Sequence, residues 1–228
     1  MRKGSGPPKT TGPTPGRSPS FTTLAWTALA GCLLMAHAQR DDPPPQPTTA
    51  QSRPPVARTA PQGGRGSAPN HTGVQPLPAS DPVRIRIPAV GVDAFLTRLE
   101  LDAAGTLKPP PATAPALAGW YAAGTTPGSP GTAVVAGHVD TPYGPAVFHR
   151  LGALGRGAEI GVVREDGRTA LFTVDAVELH AKDGFPDDQV YGSSGRPELR
   201  LITCGGRWSG KTGYQANTVV YATLTAVK

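Results

Sequence analysis

A chain of 228 residues with 38% hydrophobic and 17% charged positions has material for one folded domain with a real core. Its formal net charge of +6 is unevenly placed: residues 1–80 hold eight Lys or Arg against two Asp or Glu, whereas residues 81–228 hold fourteen of each. The C-terminal part is therefore neutral, which excludes the whole-domain basic footprint of a nucleic-acid binder.

Residues 1–20 form a basic flank containing Arg2, Lys3, Lys9 and Arg17. Phe21 to Ala38 follow as eighteen residues without Lys, Arg, Asp or Glu. That is close to the ~20 residues a helix needs to cross ~30 Å of hydrocarbon. Positive charge before the run keeps residues 1–20 in the cytoplasm and sends the remainder outside. The segment thus predicts a single-pass membrane anchor. Ala36-His37-Ala38 also fits a cleavage site, and Leu29-Ala30-Gly31-Cys32 fits a lipoprotein box in letters, although Leu33-Leu34-Met35 continue the apolar run where a polar tether belongs. All three readings place the domain outside the membrane. Residues 39–80, with Pro43-Pro44-Pro45-Gln46-Pro47 and Gln62-Gly63-Gly64, contain hardly any large apolar residue and predict a disordered, extended spacer.

Residues 81–228 carry short apolar runs at 83–87, 92–96, 132–136, 159–163, 171–179, 199–203 and 218–224, separated by Gly and Pro. No long stripe of helical period interrupts them. The pattern predicts a mainly all-β domain, a closed or nearly closed barrel of seven or eight strands, with short helices such as one near 146–154.

Of two cysteines, Cys32 lies in the apolar N-terminal segment, so an exported domain leaves Cys204 without a disulfide partner. Cys204 closes the run Leu201-Ile202-Thr203-Cys204-Gly205-Gly206, where an apolar strand is expected to end on the thiol and the two glycines to turn the chain away. A buried lone cysteine is ordinarily inert. An unpaired thiol on an exported domain is instead a candidate nucleophile. His138 is its candidate base: Val134-Val135-Ala136-Gly137-His138-Val139-Asp140 repeats the arrangement of apolar strand, glycine and functional group. His149 and His180 are the competitors, and Asp140 either orients His138 or caps a turn.

Gly137-His138-Val139-Asp140 and Leu201-Ile202-Thr203-Cys204-Gly205-Gly206, in order and ~65 residues apart, resemble the signature pair of sortases, the cysteine transpeptidases of Gram-positive cell surfaces. Gly119-Trp120-Tyr121 and the run Tyr214-Gln215-Ala216-Asn217-Thr218-Val219-Val220 extend the likeness over residues ~83–228. The double glycine and the Tyr-x-x-Asn-x-Val-Val run look most like the actinobacterial class E/F enzymes, class F above all.

The resemblance implies a closed eight-stranded barrel and cleavage of a C-terminal Leu-Pro-x-Thr-Gly-like sorting signal on secreted proteins. It also implies a thioester on Cys204 and transfer to an amine of a peptidoglycan precursor or a pilin. His138 would protonate the leaving amine and deprotonate the incoming one. The family's strand arginine, which stabilises the oxyanion, has no counterpart here: Asn217, or Gln215 in a nearby register, takes its position. Arg207 in the loop after Cys204 is the candidate for the charge, with Asn217 or Gln215 as uncharged donors. Thr203 and Trp120 are candidate walls of the substrate groove.

No cofactor or metal is called for, since Asp183, Asp187 and Asp188 lack the ligand spacing of a calcium loop. A cysteine protease transferring to water and a non-catalytic surface-binding barrel are the alternatives.

Overall fold

The computed structural model describes residues 43–52 and 74–228. The expected flank and anchor, 1–20 and 21–38, lie outside the described residues; among those described, no helix is long and apolar enough to cross a membrane.

Strand β1 (Pro82–Ile87) shows why these runs fold as they do. Ile85 and Ile87 point into the core, while Arg84 and Arg86 alternate outward onto Asp93 of β2 (Val92–Leu99). β3 (Ala118–Tyr121), β4 (Gly131–Gly137), β7 (Glu159–Arg164), β8 (Thr169–Ala181), β9 (Pro197–Ser209) and β10 (Gly213–Val227) complete a closed barrel in the order β1-β2-β3-β4-β9-β10-β8-β7. A small hairpin, β5 (Asp140–Thr141) with β6 (Gly144–Pro145), stands apart from it. The expected eight-stranded closed barrel is the observed fold. β3 is the strand that apolar patterning missed, because Ala118-Gly119-Trp120-Tyr121 is only four residues long. The helix expected near 146–154 is a single 3-10 turn, Leu151–Ala153.

The interior is filled by Ile85, Ile87, Val135, Ile160, Phe172, Leu201 and their neighbours. A second apolar cluster lies on the outer face of β8, β9 and β10. There Ala176, Val219 and Tyr221 meet Val190 of α1 (Asp187–Tyr191), with Phe185 and Ile202 packed at its edge. Full burial of Val190 holds this short helix on the sheet, a contribution of about 1.5–3 kcal/mol.

Two features differ from the sequence expectation. The stretch read as spacer over 39–80 is not uniform. Gln51 donates from Nε2 to the carbonyls of Gly152 (3.0 Å) and Leu154 (2.8 Å), and its own carbonyl accepts from Val177 N–H at 2.9 Å. Val177 lies beyond the part of β8 that β7 covers, so residue 51 satisfies an otherwise open edge. Pro45 lies so close to Gly152 that a Cβ there would sit 1.9 Å from its carbonyl oxygen. Leu77 is buried in the barrel core, and the Pro78 carbonyl accepts from Arg164, so the folded unit begins before residue 81.

The second difference concerns Cys204. β9 does not end there but runs on to Ser209 in a long hairpin with β10. Gly205 faces Ala216 and Trp208 faces Tyr214, so Gly206 and Arg207 oppose Gln215 alone, which is a β-bulge. Gly206 takes φ +76° to form it.

Candidate active site

β4 and β9 run parallel, with Val134 beside Arg200 and Ala136 beside Ile202. Parallel pairing puts the exits of both strands at the same end of the barrel, which an antiparallel pair cannot do. Two residues beyond that last pair come His138, just past the end of β4, and Cys204, within β9. Side chains two apart share a face, so both groups stand on the outer side with Ala136 and Ile202, away from the core residues Val135 and Leu201. The structure thus brings the two sequence-predicted residues together at one rim. Both are half-buried.

His138 is held from behind. Its carbonyl accepts from Phe148 N–H at 3.0 Å, and its Nε2 lies 2.7 Å from the Pro110 carbonyl oxygen. Gly137 allows this close approach, because a Cβ there would meet Val147 and Phe148 side chains at 2.7 Å. Asp140 does not orient His138. Its carboxylate accepts from the Tyr214 hydroxyl, which ties the His138 loop to the β9–β10 hairpin. Burial, then the bond to Asp140 and its charge, and lastly the Cys204 thiolate push the Tyr214 hydroxyl well above its ordinary pKa.

The residues weighed as oxyanion donors separate clearly. Asn217 is the cross-strand partner of Cys204, with His180 of β8 next in the same row. His180, a competitor of His138 by sequence, lies within β8, with its Nε2 2.9 Å from the Tyr221 hydroxyl. Arg207 is exposed on the bulge and forms no hydrogen bond or ion pair among the described residues. Gln215 is exposed, and its backbone carbonyl accepts from Lys182 N–H at 3.0 Å. Lys182 itself escaped the sequence reading: its Nζ lies 3.9 Å from Cys204 Sγ. Only the register placing β8 beside β10 exposes that contact, since 22 residues separate the two in the chain.

Thr203 and Trp120 are corrected as groove walls. Thr203 alternates with Cys204 and is 4% exposed on the interior side, its Oγ1 without a hydrogen-bond partner. Trp120 is 2% exposed within the core cluster, with Arg98 over its ring. On the outer face, half-buried Ile202 packs against the cluster that Val219 forms with Val190 of the β8–β9 loop.

That loop is pinned at several points. Thr132 Oγ1 donates to the Gly192 carbonyl at 2.8 Å, and Ser194 Oγ donates to Glu198 at 2.6 Å. Arg200 meets Glu198 at 2.7 Å and stacks 4.7 Å above the Tyr221 ring. Burial by itself would raise the Glu198 carboxyl; the Ser194 hydroxyl and Arg200 guanidinium outweigh it and hold the group below its usual range. Asp187 and Asp188 form the first turn of α1. A cleft of about 400 Å³ beside Asp93, Pro115, Val147 and Arg150 includes neither Cys204 nor Lys182 and is not this site.

A thiol on β9 and an imidazole just past the end of the neighbouring β4, with an amide and an ammonium alongside the thiol, suit acyl transfer through a covalent intermediate. The comparisons agree with that geometry. Residues 85–225 match the model of the sortase domain, and the chain belongs to the sortase family. Listeria monocytogenes sortase A is similar at 17% identity and TM-score 0.50, over 66% of this chain and 90% of that one. Sortase C-1 from Actinomyces oris is similar at 22% identity and TM-score 0.50, over 64% of this chain and 76% of that one. These likenesses show the shared fold. No curated protein matches the sequence.

Proposed function

We propose that the protein is an extracytoplasmic cysteine transpeptidase of class E/F, with class F favoured, that cleaves a C-terminal Leu-Pro-x-Thr-Gly-like sorting signal. The observation that carries this reading is the common rim formed by His138 and Cys204, each two residues beyond the last pair of the parallel strands β4 and β9. Cys204 thiolate attacks the scissile carbonyl, and His138 gives its proton to the departing amine. The resulting thioester is then opened by an amine of a peptidoglycan precursor or of another surface protein, for which His138 acts as base. Residues 21–38 anchor the enzyme in the cell membrane with the barrel outside. The double glycine after Cys204 and the run from Tyr214 to Val220 support the subclass.

The test presents Leu-Pro-x-Thr-Gly-like peptides with and without a glycine peptide as acceptor. The expected result is a Cys204-linked acyl intermediate by mass spectrometry and an amide product when the amine is present. Product that stays a free acid at every amine concentration would identify a protease. Processing that survives Cys204→Ala would overturn the assignment altogether.

A further inference from the structure

We infer that Lys182 is the cationic catalytic residue of this site, stabilising both the Cys204 thiolate and the oxyanion formed from the substrate carbonyl. The inference rests on the transpeptidase reading above and supplies the charge that reading lacks. Negative charge appears twice in the reaction, first on sulfur and then on oxygen. The β10 side chain facing Cys204 is the neutral Asn217, and Gln215 two positions earlier is neutral as well. Arg207 is exposed beyond the bulge with no partner among the described residues.

Lys182 is exposed too, but it is anchored beside the sulfur. Its backbone N–H donates to the Gln215 carbonyl at 3.0 Å, which continues the β8–β10 ladder past Ala216 and Ala181 and fixes the Lys182 backbone beside the row of Cys204, Asn217 and His180. From there Nζ reaches to 3.9 Å from Sγ. Among the described residues no carboxylate pairs with Lys182, so its charge is not spent elsewhere.

The ammonium is a compact donor on a flexible stem, able to follow charge from sulfur to oxygen. As the sulfur–carbon bond forms, the carbonyl electron pair moves to oxygen, where Lys182 and the Asn217 amide receive it. As that pair returns, the carbon–nitrogen bond breaks and the leaving amine takes its proton from His138. Lys182 keeps its protons throughout.

The test uses the full chain carrying Cys32→Ser, so that Cys204 is the one thiol. The rate of Cys204 alkylation by iodoacetamide is followed against pH in this background and with Lys182→Met, Lys182→Arg or Arg207→Met. Other ionisable groups around the sulfur are His138 on the β4 exit, Asp140 on β5, His180 on β8, and Tyr214 on β10. They are unchanged in every variant.

Lys182→Met is expected to move the alkylation midpoint to higher pH by about one unit, with Lys182→Arg restoring it. Arg207→Met should leave it in place. Peptide cleavage should fall about 100-fold in kcat/KM for Lys182→Met. An unmoved midpoint in Lys182→Met, or the same shift in Arg207→Met, overturns the inference. Alkylation needs no sorting peptide, so a wild-type chain that cleaves none would count against the transpeptidase reading while the midpoint still decides the role of Lys182.

Discussion

Tyr214→Phe removes one oxygen and tests whether the His138 loop and the Cys204 hairpin are held as one unit. The ring is 9% exposed and packs on Trp208 with centroids 5.3 Å apart, so phenylalanine preserves the packing and deletes only the bond to Asp140. A hydrogen bond to a charged acceptor contributes about 1.5–3 kcal/mol. Asp140 is half-buried and can rehydrate, so the lower end applies: about 1.5 kcal/mol, or roughly 3–6 °C in Tm for a domain of this size. The bond requires the protonated hydroxyl, whose folded pKa lies above its ordinary value of 10.0. Its contribution is therefore complete below that pH and is lost as pH rises through the raised value. Thermal denaturation of wild type and Tyr214→Phe should show a constant gap from about pH 6 to 9 that narrows in stronger alkali. On the proposed reaction, kcat should fall more than KM rises, because the variant loosens the loop that carries His138. Equal stability of the two proteins at neutral pH would refute the reasoning.

Gly205→Ala should cost about 1–3 kcal/mol in chemical denaturation, since the new Cβ would lie 2.4 Å from Thr218 Oγ1 and 3.2 Å from its backbone nitrogen. Gly155→Ala, with nothing within 4 Å, is the matched control and should be near neutral. Gln51→Ala removes two bonds to the carbonyls of Gly152 and Leu154 and should destabilise by about 1–2 kcal/mol; hydrogen exchange at Val177 should also accelerate as residue 51 leaves the β8 edge. Arg164→Leu should be the most damaging of these changes, at about 3–5 kcal/mol by calorimetry. The fully buried guanidinium satisfies the Pro127 and Pro78 carbonyls, which its loss would leave unpaired, and the Asp166 carboxylate, which would keep only the Arg168 N–H. Arg164, by its hydrogen bond above all, holds Asp166 below its ordinary 3.8, so the part of the effect due to the Asp166 pairing is present above about pH 4 and is lost as pH falls further, whereas the bonds to the two carbonyls do not titrate.

Strands were legible wherever apolar residues alternate over five positions or more, as in Val83-Arg84-Ile85-Arg86-Ile87, because such alternation suits a sheet with one buried face. β3 is too short to show that period. Cys204 and His138 were legible because each pairs a reactive group with glycine at an apolar strand. Thr203 and Trp120 were misplaced for a related reason: adjacency to a reactive residue in sequence puts a strand neighbour on the opposite face, and an aromatic residue at a strand end fills the core as readily as a groove. The segment 43–52 carries no apolar pattern, yet Gln51 docks through polar contacts with backbone groups that no composition argument can anticipate.

What the sequence alone determined is chemistry and class: one unpaired thiol beyond the N-terminal segment, one histidine in a matching setting, a β-rich domain and no arginine at the expected position on β10. Tertiary structure decided which groups meet. Parallel pairing of β4 with β9 sets His138 and Cys204 at one rim, and β8 against β10 brings Lys182 to the sulfur. Strand periodicity is a local property, written in every second residue; register and strand order arise from closing eight strands around a shared core, and only that closure fixes distances between residues far apart in the chain.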